Sequence, residues 1–101
     1  MATTLKALYR GAATTTTTTT LYTVPAATTA VITNIIVTNT AGTAGTFTLT
    51  LDGTDIATTQ TIAANSSAFF DMKQVLAATK LIKGGASATT INFHISGVEI
   101  A

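Results

Sequence analysis

The residues that could do chemistry are few and stand apart. His94 is the only histidine, on a segment where Asn92 and Ser96 share its parity. A metal would need further ligands at short spacing, and no cysteine, second histidine or acid cluster accompanies it. A trimer could bring copies of His94 together on an axis, so it is kept as a candidate interface residue. Asp52 and Asp55 in "LDGTD" invite a calcium reading, but the alternating acids and distal glutamate of a calcium loop are missing, and Asp-Gly is turn chemistry. Asp71 and Glu99 complete the acids, and nothing pairs any two of them as an acid–base couple. Ser66, Ser67, Ser87 and Ser96 lie outside any G-x-S-x-G elbow, and "KGGAS" lacks the strand, phosphate loop and helix order of a nucleotide site. Tyr9, Tyr22, Phe47, Phe69, Phe70 and Phe93 lack the accompanying cations or carboxamides of a stacking surface and are read as core and interface anchors. The expectation is a protein that is not an enzyme, with no catalytic residue, no cofactor and no metal.

Composition bounds the rest. With 101 residues the chain is read as one domain with a real core. The charged fraction is 9% against about 25% in typical globular domains, while 47% is apolar and about a quarter is threonine. Lys6, Arg10, Lys73, Lys80 and Lys83 are scattered and the net charge is +1, which gives no footprint for nucleic acid. A surface this neutral does little to keep copies apart, so much of it is expected to be covered in the working state. No signal peptide is read at the N-terminus, and no membrane-spanning apolar run occurs.

The elements that must position these residues are strands. Thr, Val, Ile and Phe are abundant, and turn signals recur about every 8–12 residues, the spacing of an antiparallel sandwich or barrel. These signals are "VPAATT" at 24–29, "NTAGTAGT" at 39–46, "LDGTD" at 51–55, "AANSS" at 63–67 and "KGGAS" at 83–87. Residues 29–39 carry apolar side chains on both parities, the pattern of a central strand that is doubly buried or bulged midway. "TFTLTLD" alternates, with Phe47, Leu49 and Leu51 inward. Short strands are expected around Ile56 and Ile62, then "SAFFDMKQ", whose parity leaves Phe69 and Phe70 competing for the core. "QVLAAT" at 74–79 reads as a single helical turn capping the sandwich. In "TINFHISGVEI", Ile91, Phe93 and Ile95 face in, and the apolar parity slips at Gly97, which predicts a bulge there.

Several of these stretches carry a resemblance. Leu21-Tyr22-Thr23-Val24-Pro25-Ala26, the "VITNIIVTNT" strand, "LTLDGT", "QVLAATKLIKGG" and "HISGVEI" resemble small all-β structural proteins of tailed-bacteriophage virions. That group includes capsid decoration (cement) proteins and related tail or fibre domains. The resemblance covers roughly residues 21–100, departs at Ala27-Thr28-Thr29 after the Pro-Ala pair, and rests on scaffold residues rather than on a site. It implies an antiparallel β-sandwich, jelly-roll-like or immunoglobulin-like. It also implies a structural role on the outer capsid surface of a virion, the chain being made in the host cytoplasm, self-associated as a homotrimer and bound to the major capsid protein. The alternative is a tail or fibre component that binds a host-surface glycan or receptor. Neither nucleic acid nor membrane is an expected partner.

Residues 1–20 lie outside the resemblance and are read as an extended N-terminal arm on a sandwich domain at 21–101. The arm contains Thr14, Thr15, Thr16, Thr17, Thr18, Thr19 and Thr20 in one run. High strand propensity predicts an extended segment on the order of 20 Å long that adds to a sheet edge or a neighbouring subunit. Because both faces of such a strand are alike, register is assigned to its flanks. Leu5, Leu8 and Tyr9 before it, and Leu21, Tyr22 and Val24 after it, are the expected anchoring contacts.

Overall fold

The structure, a computed structural model, describes residues 2–101. Eight strands follow in chain order: β1 (Thr3–Ala12), β2 (Thr20–Thr23), β3 (Thr29–Asn39), β4 (Gly45–Leu51), β5 (Thr54–Ile62), β6 (Ser66–Leu76), β7 (Leu81–Ala86) and β8 (Ile91–Ile100). They form two four-stranded antiparallel sheets, ordered β1-β8-β3-β6 and β2-β7-β4-β5. Every connection crosses between sheets except the β4–β5 hairpin, which is the jelly-roll order. This decides between the two expected topologies.

Alternation supplies the core. Ile91, Phe93 and Ile95 of β8 meet Phe47 and Leu49 of β4, and Phe47 packs edge-on against both Phe93 and Phe70 at centroid distances of 6.3 and 6.1 Å. Phe70 therefore takes the inner position and Phe69 is left 71% exposed. Asn39 is buried at the end of β3, where its Nδ2 donates to the Thr43, Ile62 and Ala63 carbonyls and its Oδ1 accepts from the Ala41 amide. It ties two loops together in place of water. The hairpin turn has φ of 52° at Asp52 and 76° at Gly53, the double left-handed geometry that Asp-Gly favours.

Several sequence expectations are corrected. No helical turn spans 74–79: β6 continues to Leu76, and a turn follows. One strand, β5, covers both Ile56 and Ile62, with an irregularity opposite Thr48. At Gly97 the parity of β8 does not slip, so Glu99 points inward. The bulges fall instead on its neighbours, at Leu8 in β1 and at Thr33 in β3. They converge on Gly97, where an added Cβ would lie 2.3 Å from the Val31 carbonyl oxygen.

Residue 1 of the expected arm lies outside the described residues, and residues 2–20 do not stand apart from the sandwich. The described part, from Ala2 onward, is built into the sandwich: β1 pairs along its length with β8. The threonine run is not an extended strand either. Its two ends take up the edge of β7, with the Gly84 amide donating to the Thr19 carbonyl at 2.9 Å and the Ala86 amide to the Thr14 carbonyl at 2.8 Å. Between them the chain folds into a loop knotted by hydroxyls. Thr14 and Thr19 Oγ1 atoms are 2.6 Å apart and hydrogen-bonded to each other, and each lies 3.0 Å from the Thr16 carbonyl oxygen, which accepts the remaining hydroxyl proton. Threonine hydroxyls compete with the ladder for backbone groups, and here the local bonds prevail. The "KGG" expected as a turn lies inside β7, because an added Cβ on Gly85 would sit 2.2 Å from the Thr16 carbonyl oxygen.

Gly85→Ala should therefore expel the threonine loop. We expect a loss of about 1–3 kcal/mol of stability and faster hydrogen exchange at the Gly84 and Ala86 amides. Gly42→Ala, at a position with nothing within 4 Å, should leave both unchanged. Equal exchange in the two variants would disprove the close-approach account of Gly85.

Candidate interaction surface

The polar cluster of highest local charge joins the two sheets. Glu99, next to last on β8, points to the inner side. It accepts a hydrogen bond from the Tyr22 hydroxyl of β2 and lies 3.4 Å from Lys6 Nζ of β1. The hydrogen bond and the ammonium hold the Glu99 carboxyl below its usual value. Burial, reinforced by the carboxylate beside it, pushes the Tyr22 hydroxyl above the ordinary phenol range. A phenol that donates to a carboxylate engaged by an ammonium is a clasp joining β2, β8 and β1. It brings "LYTVPA" and "HISGVEI" together, since Tyr22 and Glu99 meet across the sandwich.

The remaining chemistry-bearing residues do not converge. Among the described residues no three metal-ligating side chains come together. Asp52 lies 3.8 Å from Lys80, and Asp55 accepts from the Thr58 hydroxyl. An apolar slot of about 150 Å³ opens between β5 and β6, lined by Leu49, Ile56, Ala57, Phe70, Met72 and Gln74, with no ionisable group on its wall.

The residues expected at an interface separate into two groups. Leu8, Leu21, Tyr22 and Val24 are corrected to core: each is buried within the chain's own sandwich. Tyr9 packs against the same core and donates its hydroxyl to the Ala12 carbonyl at 2.9 Å. Leu5 and His94, by contrast, are on the outer face of the β1-β8-β3-β6 sheet. Thr14, Thr15, Thr16, Thr17, Thr18 and Thr20 are exposed and Thr19 is half-buried, on the loop over β7.

Strand register draws that outer face row by row. One row reads Leu5, Val98, Val31, Val75 from β1 to β6; the next reads Ala7, Ser96, Asn34, Asp71; the third reads Arg10, His94, Ile36, Phe69. Leu5 is 83%, Phe69 71% and Val75 67% exposed, and all lie on this face. The middle row lies at the line of bulges, where small side chains leave a shallow trough bounded by Leu5, Arg10, Thr33 and Val98. Sequence reasoning missed Phe69 and Val75 as surface residues. The signal was present in the clash of parities at "SAFFDMKQV", which leaves one aromatic ring without a core position.

No family model matches the chain, and no curated protein matches it. Seven solved chains match. One is a pentameric capsid protein isolated from metagenomic phage sequences, with 18% identity and a TM-score of 0.37. The match covers 96% of this chain and 57% of that one, so the chain spans little more than half of its length.

The clasp gives a pH signature. Folded Glu99 takes up a proton less readily than unfolded Glu99, so its stabilisation is complete above the usual carboxylate value near 4.5 and is lost as pH falls through the depressed folded value. Tyr22→Phe and Glu99→Gln should each cost about 1–3 kcal/mol at neutral pH. In thermal melts the gap between wild type and either variant should close on acidification. A gap that stays constant down to pH 3 would refute the assignment.

Proposed function

We propose that the chain is a structural protein of a tailed-phage particle that acts by covering surface rather than by bond chemistry. The observation that carries this reading is the outer face of the β1-β8-β3-β6 sheet. It presents large apolar side chains to solvent on a chain with almost no charge to keep neighbours away. The sequence resemblance to decoration proteins gives the finer form: a cement protein seated on the outside of the shell, self-associated and in contact with the major capsid protein. Its contribution there is neutral, close-packed area between neighbouring capsomers. The homotrimer implied by the resemblance stands on analogy with shell symmetry alone, and the two-fold pairing inferred below is the alternative to it.

The tail or fibre reading calls for aromatics and carboxylates grouped on loops. In this chain the loops at 40–44, 52–53 and 63–65 carry no aromatic residue.

Immunogold labelling of intact particles with antibody to this chain, together with co-sedimentation with heads stripped of decoration, tests the proposal. We expect label over the head and saturable co-sedimentation at a fixed ratio to capsomers. Label at the tail tip, or retention on cells and glycan-bearing beads with none on heads, would establish the fibre alternative instead.

A further inference from the structure

The outer face of the β1-β8-β3-β6 sheet carries different side chains on its two halves. On the β1/β8 half stand Leu5, Val98, Ala7, Arg10 and His94; on the β3/β6 half stand Val31, Val75, Ile36 and Phe69, with Asp71 and, two residues on, the exposed Lys73. Arg10 and Asp71 are both exposed, and neither forms an ion pair among the described residues. They cannot reach each other, because the strands carrying them are three spacings apart, about 14 Å.

A rotation by half a turn about an axis parallel to the strands, between β8 and β3, lays each half on the other half of a second copy. Leu5 then faces Val75 and Val98 faces Val31. Arg10 arrives over Phe69, one residue pair from Asp71, where the guanidinium meets both an aromatic ring and a carboxylate. Small residues of the trough, Ala7 and Ser96, meet Asp71 and Asn34. Each contact occurs twice, as a two-fold interface requires. Rotation about the perpendicular axis would instead set Asp71 against its own copy.

The sheet edges point the same way. β1 is bulged at Leu8, β5 is irregular at Thr58–Thr59, and β6 loses pairing at Met72–Lys73 opposite the β3 bulge. β2 has only four residues, and the threonine loop occupies the rest of β7. Interrupted edges are poor templates for strand addition, which leaves a face as the surface for association.

From this complementarity we infer that two copies of this chain pair face to face through their β1-β8-β3-β6 sheets, with Arg10 of each copy seated against Asp71 and Phe69 of the other. The face measures about 20 Å by 30 Å from strand spacing and rise. Pairing would thus cover on the order of 1,200 Å² in total, the lower end of the range for specific interfaces. The pairing takes up the same face that carries the proposed function, but its test is made on the isolated chain and needs no shell.

Sedimentation equilibrium on the full chain provides the test, with charge reversals at the two edges. Wild type should run at twice the 10.2 kDa protomer mass. Arg10→Asp and Asp71→Arg should each weaken pairing at least tenfold with far-UV and near-UV circular dichroism unchanged. The double reversal, which restores opposite charges, should recover most of the wild-type affinity. Leu5→Asp, at the far end of the same face, should abolish pairing. A monomeric wild type up to millimolar concentration would overturn the inference. So would a trimeric or pentameric mass, or a dimer indifferent to all these substitutions.

Discussion

The straightness of β8 constrains everything around it. The strand keeps one alternation from Ile91 to Glu99, while β1 and β3, paired on either side, each insert a residue beside Ser96, β1 between the partners of Ser96 and Ile95 and β3 between those of Gly97 and Ser96. In β3 the insertion changes the inward parity from Ala30 and Ile32 to Ile35 and Val37, which keeps all four in the core. In β1 it turns Leu8 inward ahead of Tyr9. Only a residue without a side chain fits where both insertions press, so Gly97 is required by its neighbours' irregularity rather than by its own conformation. Had β8 itself bulged, Glu99 would point to solvent and the Tyr22 clasp could not form.

A clasp at this position closes one end of the sandwich with a charge-assisted hydrogen bond. The phenol can donate to the carboxylate while Lys6, half in solvent, satisfies the second oxygen. At the opposite end of β3, Asn39 does comparable work through backbone carbonyls. Polar anchors at both ends of a largely apolar core fix the register of strands whose side chains, being mostly Thr, Val and Ile, would tolerate slippage.

Strand identity was legible wherever alternation was clean: Phe47, Leu49 and Leu51, or Ile91, Phe93 and Ile95, face inward as their parity demands. The doubly apolar 29–39 segment was legible as a central strand, either doubly buried or bulged, and the structure selects the bulge. What escaped was set by contacts distant in sequence. Tyr22 and Glu99 are separated by 77 positions, and neither residue type announces a buried partner. The glycines of "KGG" resemble a turn because their reason, the Thr16 carbonyl pressed on Gly85, comes from the far end of the chain. Leu8, Leu21 and Tyr22 read as anchors for a partner because they flank the threonine run, and the partner they anchor to is the chain's own core.

The threonine run itself shows how a segment without internal preference is placed. Seven identical residues offer no favoured register, so pairing them along a strand gains ladder bonds but no specificity. Folding the middle out and pairing only the ends satisfies the exposed edge of β7 with two backbone bonds and leaves hydroxyls to close the loop on itself. That edge is thereby withdrawn from association, as bulges withdraw the other edges. Surface chemistry then decides where a second molecule can dock. A chain with nine charged residues, its edges interrupted and its loops small and neutral, has one broad face on which apolar side chains and unpaired charges of both signs stand together.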